Sequence, residues 1–136
     1  MPIKVLNSDG LGSVFNVIKG LYFAQVHGAR IVNMSFGTPI DSDALKDAIE
    51  DVQKKGVTMI ASTGNEGANV KRYPAAYQKV IAVTAVENDD KKSSYANYGS
   101  YVWLAAPGTN LRSTYWNDGY ATWSGTSFAA PLVTGT

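Results

Sequence analysis

Ser127 is the residue whose surroundings in the sequence most favour covalent chemistry. The triplet Gly125-Thr126-Ser127 stands directly before the apolar run 128–133, so Ser127 falls in the first turn of a predicted helix. A helix N-terminus offers unpaired N–H groups and a field that stabilises developing negative charge, which suits a nucleophilic serine. A serine is also a preferred helix cap. Taken alone, the triplet is better explained by capping than by catalysis.

Asn65 is the second residue with chemical potential. It stands in the segment Gly64-Asn65-Glu66-Gly67, directly after the predicted strand 57–61 and Ser62-Thr63. An asparagine in that place can donate its amide into a cleft. It is equally an ordinary turn residue, because asparagine and glycine are the residues that turns prefer. Neither Ser127 nor Asn65 is therefore decisive in isolation.

The elements that would position these residues alternate between short β-branched runs and amphipathic stretches. Strands are predicted at residues 3–6, 31–36, 57–61, 80–86 and 102–106, helices at 14–27 and 43–55, and a hairpin at 111–123. Ser13 is expected to cap the first helix and Asp41 or Ser42 the second. This strand–helix alternation implies right-handed crossovers and a parallel sheet covered by helices. The pattern predicts one α/β domain.

Four polar or glycine-rich segments follow predicted elements in positions where a cleft would form. They are Asp9–Gly12, Ser35–Thr38, Ser62–Gly67 and the Gly125–Ser127 turn. In parallel sheets, ligands bind beyond the carboxyl ends of the strands. If the four segments converge there, they form one binding cleft.

The composition excludes several classes of protein. The 136 residues are 45% hydrophobic and 17% charged, which supports a packed core, and the net charge of +1 gives no reason to expect nucleic acid or an acidic membrane surface. The absence of cysteine excludes disulfides and thiolate metal sites. No run approaches the ~20 apolar residues of a membrane span.

Three motifs, in register along the chain, resemble the subtilisin-like serine proteases, or subtilases. The motifs are "SGTSFAAPLVTG", "ASTGNEG" and "IVNMSFG", which are similar to the family's serine, oxyanion and substrate-strand motifs. The linking segments "KVLNSDGLGS", "YPAAYQKVIAVTAV" and "SSYANYGSYVWLAAPGTNLRST" are similar too, so the resemblance covers residues 1–136. It implies a three-layer α/β/α fold with a mostly parallel sheet. That fold would be incomplete, without its N-terminal strands and the end of the serine helix.

The resemblance implies a serine endopeptidase that acts through an acyl-enzyme. Ser127 matches the nucleophile and Asn65 the side-chain oxyanion donor, which acts with the Ser127 N–H. Segments 10–12 and 35–37 match the strands that hold an extended peptide substrate, and 62–64 wall the first specificity pocket. The substrate-binding residues implied by the resemblance are Gly10, Leu11, Gly12, Ser35, Phe36, Gly37, Ser62, Thr63, Gly64, Arg72 and Thr126.

Three further features follow from the resemblance. Arg72 matches the residue at the base of the specificity pocket, where it would favour an acidic substrate side chain; the alternative is that it points to solvent. Tyr73-Pro74 matches a cis peptide bond. The carbonyls of Ala75, Tyr77 and Val80 match a weak cation site. The chemistry itself requires no cofactor, although structural calcium is usual in the family.

The family's catalytic aspartate and histidine motifs are absent from this sequence. Its only histidine is His27. Asp9, His27 and Ser127 stand in the family's Asp–His–Ser order, but "KVLNSDGLG" matches a substrate segment that lies downstream of both catalytic residues. We therefore expect His27 to be a helix-end residue without a chemical role. The chain is expected to be a catalytic-domain fragment that is inactive alone.

The sequence suggests two alternatives to a protease fragment. One is a pseudoprotease module that binds extended peptides without cleaving them. The other is a nucleotide-binding domain, suggested by Gly10-Leu11-Gly12 after a strand; its fingerprint needs a glycine where Phe15 stands. The partners implied by the resemblance are peptide or protein substrates, the N-terminal part of the same catalytic domain and a propeptide. The implied location is extracellular.

Overall fold

The computed structural model describes all 136 residues. It contains three helices and six strands, joined by turns and loops. In chain order these are α1 (Val14–Val26), β1 (Ile31–Met34), α2 (Asp43–Lys54), β2 (Thr58–Ser62), β3 (Val80–Val86), β4 (Leu104–Pro107), β5 (Leu111–Tyr115), β6 (Gly119–Trp123) and α3 (Thr126–Gly135). Strands β1 to β4 form a parallel sheet in sequence order, and β5 pairs with β6 as an antiparallel hairpin. The predicted α/β architecture is confirmed.

The first two helices begin and end where local sequence signals predict. The Ser13 Oγ accepts a hydrogen bond from the Asn16 N–H at 3.1 Å, and the Ser42 Oγ accepts one from the Leu45 N–H at 3.4 Å. Ser42, and not Asp41, is therefore the cap of α2. Gly28, shortly after α1, has a φ of +79°, a left-handed conformation that glycine adopts without a steric cost.

The sheet separates two apolar clusters. Helices α1 and α2 cover one face, where Leu21, Ile49 and Met59 belong to the larger cluster. Helix α3 covers the other face, where Ile60 packs in a cluster with Ala129. Successive side chains of a strand point to opposite faces, so neighbours Met59 and Ile60 serve different layers. The result is a helix–sheet–helix arrangement with β2 and β3 at its centre.

Residues 3–6 do not form the strand that their β-branched pattern predicts. A strand needs backbone hydrogen bonds to a neighbour, and the outer edge of β1 makes none with this segment. The segment lies over α1 instead, where a Cβ added to Gly20 would come within 2.7 Å of the Val5 Cγ1.

No helix of the structure is long and apolar enough to cross a lipid bilayer.

Candidate active site

Three of the four segments predicted to form the site meet beyond the carboxyl ends of β1 and β2, at the start of α3. Ser35 follows β1, Ser62 ends β2, and Ser127 is the second residue of α3. A cleft of about 270 Å³ opens between them. Its lining residues are Phe36, Gly37, Ser62, Gly64, Asn65, Glu66, Arg72 and Ser127. Ser127 and residues 36–37, which are distant in sequence, thus share one cavity.

Ser127 and Ser35 exchange two hydrogen bonds. The Ser127 hydroxyl donates to the Ser35 carbonyl oxygen at 3.2 Å, and the Ser35 hydroxyl donates to the Ser127 carbonyl oxygen at 2.8 Å. The Asn33 amide donates to the Ser35 hydroxyl at 2.9 Å. These contacts fix the first turn of α3 against the end of β1. They also leave the Ser127 hydroxyl bonded to a carbonyl, which cannot act as a base.

Asn65 is oriented by the start of α3. Its Oδ1 accepts hydrogen bonds from the Thr126 N–H and the Thr126 hydroxyl, both at 2.9 Å. Its Nδ2 makes no hydrogen bond within the chain, and it lies 3.4 Å from the point where a Cβ on Gly125 would stand. The amide oxygen is therefore held, and the amide donor remains free beside the N-terminus of α3.

Thr126 links the two halves of the cleft from inside the core. Its side chain is fully buried, and its hydroxyl accepts a hydrogen bond from the Gly64 N–H at 3.2 Å. The same hydroxyl reaches the Asn65 Oδ1. One buried hydroxyl thus ties α3 to the segment that carries Asn65.

Arg72 lies at the cleft but does not point to solvent, so that alternative is wrong. Its side chain is 22% exposed and its Nε donates to the Glu66 Oε1 at 2.7 Å, with its Nη2 bound to the same oxygen. Hydrogen bonds from Arg72 and then from Asn97 hold the pKa of Glu66 below its ordinary value, although partial burial opposes this. Glu66 therefore offsets the charge of Arg72.

The expected cis bond at Tyr73-Pro74 is present.

The comparison with known proteins agrees with this geometry. The family model described as "Subtilase family" (peptidase S8) matches residues 1–136. The chain belongs to the subtilase family. Subtilases are hydrolases of the serine protease class.

Individual relatives show how much of a subtilase is present. The chain is 38% identical to subtilisin BL of Lederbergia lenta over 133 residues, 98% of this chain and 49% of that protein. It is 41% identical to the minor extracellular protease Epr of Bacillus subtilis over 130 residues, 95% of this chain and 20% of that protein. A cold-adapted subtilisin-like serine proteinase superposes with a TM-score of 0.91 at 34% identity, over 97% of this chain and 49% of that one. The chain thus spans about half the length of subtilisin BL, or less in longer relatives.

His27 is not brought to the cleft. It follows α1, where its Nδ1 lies 2.8 Å from the Phe23 carbonyl oxygen and its ring stacks on Phe23 with centroids 3.9 Å apart. Because α1 leads into β1, its end lies at the amino ends of the strands, while Ser127 lies at their carboxyl ends. The makeshift triad of Asp9, His27 and Ser127 is therefore not formed.

Segment 10–12 does not line the same cavity as Ser127. Leu11 and Gly12 line a separate groove of about 550 Å³ with residues 4–7. The Asn7 Oδ1 accepts hydrogen bonds from the Asp9 and Leu11 N–H groups, at 3.0 and 2.9 Å, and so shapes the turn.

Thr63, predicted as a pocket wall, is fully buried, so only its backbone can serve that purpose.

Two residues of this subtilase site were not predicted from the sequence. Glu66 pairs with Arg72, and Asn97 is a fully buried asparagine whose amide bonds the segment around Asn65. Asn97 stands 31 residues beyond Glu66 and belongs to no chemical motif. Asn97 stands in the polar segment "SSYANYGS", so its residue type gave no signal that it would be buried.

The structure holds no group of three or more His, Cys, Asp or Glu side chains that could bind a metal ion. The weak cation site remains a prediction that rests on the backbone carbonyls of Ala75, Tyr77 and Val80. These three residues are buried, and the Tyr77 carbonyl already accepts a hydrogen bond from the Val80 N–H at 3.0 Å. Such a site would have no carboxylate ligand and would bind calcium weakly.

Proposed function

We propose that residues 1–136 supply the nucleophile, the oxyanion hole and part of the substrate cleft of a serine endopeptidase. One observation carries the proposal. The Ser127 hydroxyl and the free Nδ2 of Asn65 open on the same cleft, and Thr126 holds the Asn65 carboxamide at 2.9 Å. A half-buried serine hydroxyl that opens on a cleft beside a preorganised amide donor is the arrangement that acyl transfer requires.

The chemistry follows from these positions. The Ser127 Oγ attacks the carbonyl carbon of a peptide bond and passes its proton to a base. The carbonyl oxygen becomes an oxyanion, which the Asn65 Nδ2 and the Ser127 N–H stabilise at the start of α3. Collapse expels the amine, which takes up the proton, and water then hydrolyses the ester on Ser127. In subtilisin, a relative, removal of one such donor lowers turnover by about 10²–10³-fold.

The proposed substrate is an extended peptide. We propose that segment 35–37, which follows β1, binds the substrate backbone on one side, and that segment 10–12, which lines a separate groove, binds it on the other. Segment 62–64 forms the wall of the pocket for the residue before the scissile bond. Arg72 supports a preference for acidic residues there. Since Glu66 offsets that charge, we expect the preference to be weak until Glu66 is removed.

The missing base is proposed to come from the N-terminal part of the same catalytic domain. Two features of the chain support this. The outer edge of β1 has no paired strand, and an apolar groove separates Ile3 and Val5 from Val32 and Met34. A further strand from that part of the domain would satisfy both. It would bring the aspartate and histidine that this chain lacks.

Location and accessory groups belong to the same proposal. We propose an extracellular protein whose folding uses a propeptide. The name of the relative from Bacillus subtilis, an extracellular protease, supports the location. Calcium, if bound at 75–80, would stabilise the fold and take no part in the chemistry.

The test is labelling with a fluorophosphonate, which reacts with activated serines. The chain is labelled alone and after mixing with the N-terminal half of a subtilisin, with Ser127→Ala as the control. We expect labelling only in the mixture and none with Ser127→Ala. Labelling of the chain alone would overturn the argument that its base is missing.

The second candidate function is a peptide-binding pseudoprotease. It is favoured by one observation, the bond from the Ser127 hydroxyl to the Ser35 carbonyl in place of a base. No labelling in a mixture whose halves demonstrably associate would support this candidate and contradict the protease.

A further inference from the structure

Asn97 is the most completely bonded polar side chain near the cleft. It is fully buried, and its Oδ1 accepts hydrogen bonds from the Glu66 N–H at 2.9 Å and the Ala68 N–H at 3.3 Å. Its Nδ2 donates to the Thr63 carbonyl oxygen at 3.0 Å and also to the Glu66 carboxylate. An asparagine side chain has two donor hydrogens and one acceptor oxygen. All of this capacity is spent on residues 63–68.

The backbone of Asn97 adds a contact on the other side of Asn65. The Asn97 N–H donates to the Gly64 carbonyl oxygen at 3.1 Å. Asn97 thus bonds both chain neighbours of Asn65, Gly64 through its backbone and Glu66 through its side chain. It does not touch the Asn65 side chain, which Thr126 holds separately.

Asn97 is itself fixed to the central sheet. Its carbonyl oxygen accepts a hydrogen bond from the Thr84 hydroxyl at 2.6 Å, and Thr84 lies within β3. A series of hydrogen bonds therefore connects strand β3, through Asn97, to the two peptide groups that flank Asn65. Buried and fully satisfied polar networks of this kind hold their members in one conformation.

We propose that Asn97 is a positioning residue, which holds the 63–68 segment so that the free Nδ2 of Asn65 meets the oxyanion. This inference rests on the proposed serine-protease function. An oxyanion donor acts through a short, directed hydrogen bond, so displacement of its backbone weakens transition-state stabilisation more than substrate binding. The expected effect is on turnover and not on the Michaelis constant.

The first test uses the full 136-residue chain and does not need activity. The Asn65 side-chain amide signal is identified in a ¹⁵N–¹H spectrum by its loss in Asn65→Ala. Asn97→Asp keeps the shape and the acceptor oxygen but removes the donor to Thr63 and Glu66. We expect it to shift or broaden the Asn65 signal. Asn69→Ala is the matched control, since Asn69 is an exposed asparagine of the same loop and its side chain makes no hydrogen bond.

The second test is a double-mutant cycle in the chain assembled with the N-terminal half of a subtilisin. Asn97→Asp is expected to lower kcat by about 10- to 100-fold with little change in KM. In the Asn65→Ala background the same change should cost less than about threefold, because the donor that Asn97 positions is already gone. Equal losses in both backgrounds, or an unchanged Asn65 signal, would overturn the proposal.

Two further measurements distinguish failure of the Asn97 proposal from failure of the serine-protease proposal. If Asn97→Asp does not fold, Thr84→Val removes the hydroxyl that anchors Asn97 and is expected to give the same pattern in smaller measure. If the wild-type assembly is inactive although its halves associate, the protease proposal fails. The Asn65 signal then still decides whether Asn97 positions that side chain.

Discussion

Ser127 and Ser35 hold each other by two hydrogen bonds, one in each direction between hydroxyl and carbonyl. The pair joins residues 92 positions apart and sets the nucleophile at the mouth of the cleft. It also gives the Ser127 hydroxyl a resting partner that cannot remove its proton. The proposed nucleophile is therefore held in place from both sides, while the base that would activate it is proposed to lie in another part of the domain.

Replacement of His27 tests whether this chain carries its own base. We expect His27→Ala to leave the activity of the assembled enzyme within about twofold of wild type, because His27 lies at the opposite edge of the sheet and contacts only Phe23. The measurement is hydrolysis of a chromogenic peptide, with Ser127→Ala as the inactive reference. A His27→Ala variant as inactive as Ser127→Ala would return His27 to the mechanism.

Thr126 is expected to affect both stability and turnover. Thr126→Val leaves the Gly64 N–H and one lone pair of the Asn65 Oδ1 without their partner, which should cost about 1–3 kcal/mol in the free energy of unfolding. Turnover of the assembly should fall about tenfold, because Asn65 loses one of its two anchors.

Thr126→Ser separates these two effects. It keeps the hydroxyl and removes one buried methyl group, which should cost about 1 kcal/mol of stability and leave turnover nearly unchanged. Denaturant unfolding and kcat are measured for both variants. An equal loss of turnover in the serine and valine variants would show that packing, and not the hydroxyl, orients Asn65.

Gly64 is expected to tolerate no side chain. Its φ is +99°, and an added Cβ would stand 2.6 Å from the Asn97 Nδ2 and 2.9 Å from the Arg72 Cγ. Gly64→Ala should therefore destabilise the fold by about 1–3 kcal/mol through backbone strain and crowding.

Gly135→Ala is the matched control for that change. Gly135 lies in α3, and a Cβ there would meet no atom within 4 Å. It should be neutral or stabilising by up to about 1 kcal/mol, because alanine favours a helix more than glycine does. Thermal unfolding compares the two. Similar unfolding midpoints would contradict the strain assigned to Gly64.

Because of Glu66, the free energy of unfolding is expected to decrease as the pH falls into the acid range. Its folded pKa is lowered by Arg72 and Asn97, so its charged form stabilises the fold above its ordinary pKa of 4.5, and that contribution is lost as pH falls through the lowered value. Unfolding free energies of wild type and Glu66→Gln are measured from pH 7 downward. Their difference should be constant above about pH 5 and shrink below it. A difference that grows in acid would contradict the assigned direction.

Local signals account for the elements that the sequence predicted well. Ser13 and Ser42 cap their helices because a serine oxygen needs only an N–H three residues away. Glycines end both helices for an equally local reason, and the motif around Ser127 correctly predicted that this serine lies in the first turn of α3. Hydrogen bonds between residues a few positions apart can be predicted directly from the sequence, because both partners lie in one short segment.

Tertiary structure alone decided the remaining features. Residues 3–6 have the pattern of a strand but do not pair with the open edge of β1. Arg72 is held at the cleft by Glu66 and does not extend into solvent. The importance of Asn97 was invisible in sequence, because a buried asparagine is identified by partners that the fold brings to it. The sequence by itself determined the helix–sheet–helix layers and the cap of α1, and it predicted Ser127 as the nucleophile. Long-range pairing decided which polar groups meet, since hydrogen bonds between distant residues depend on packing that no local pattern encodes.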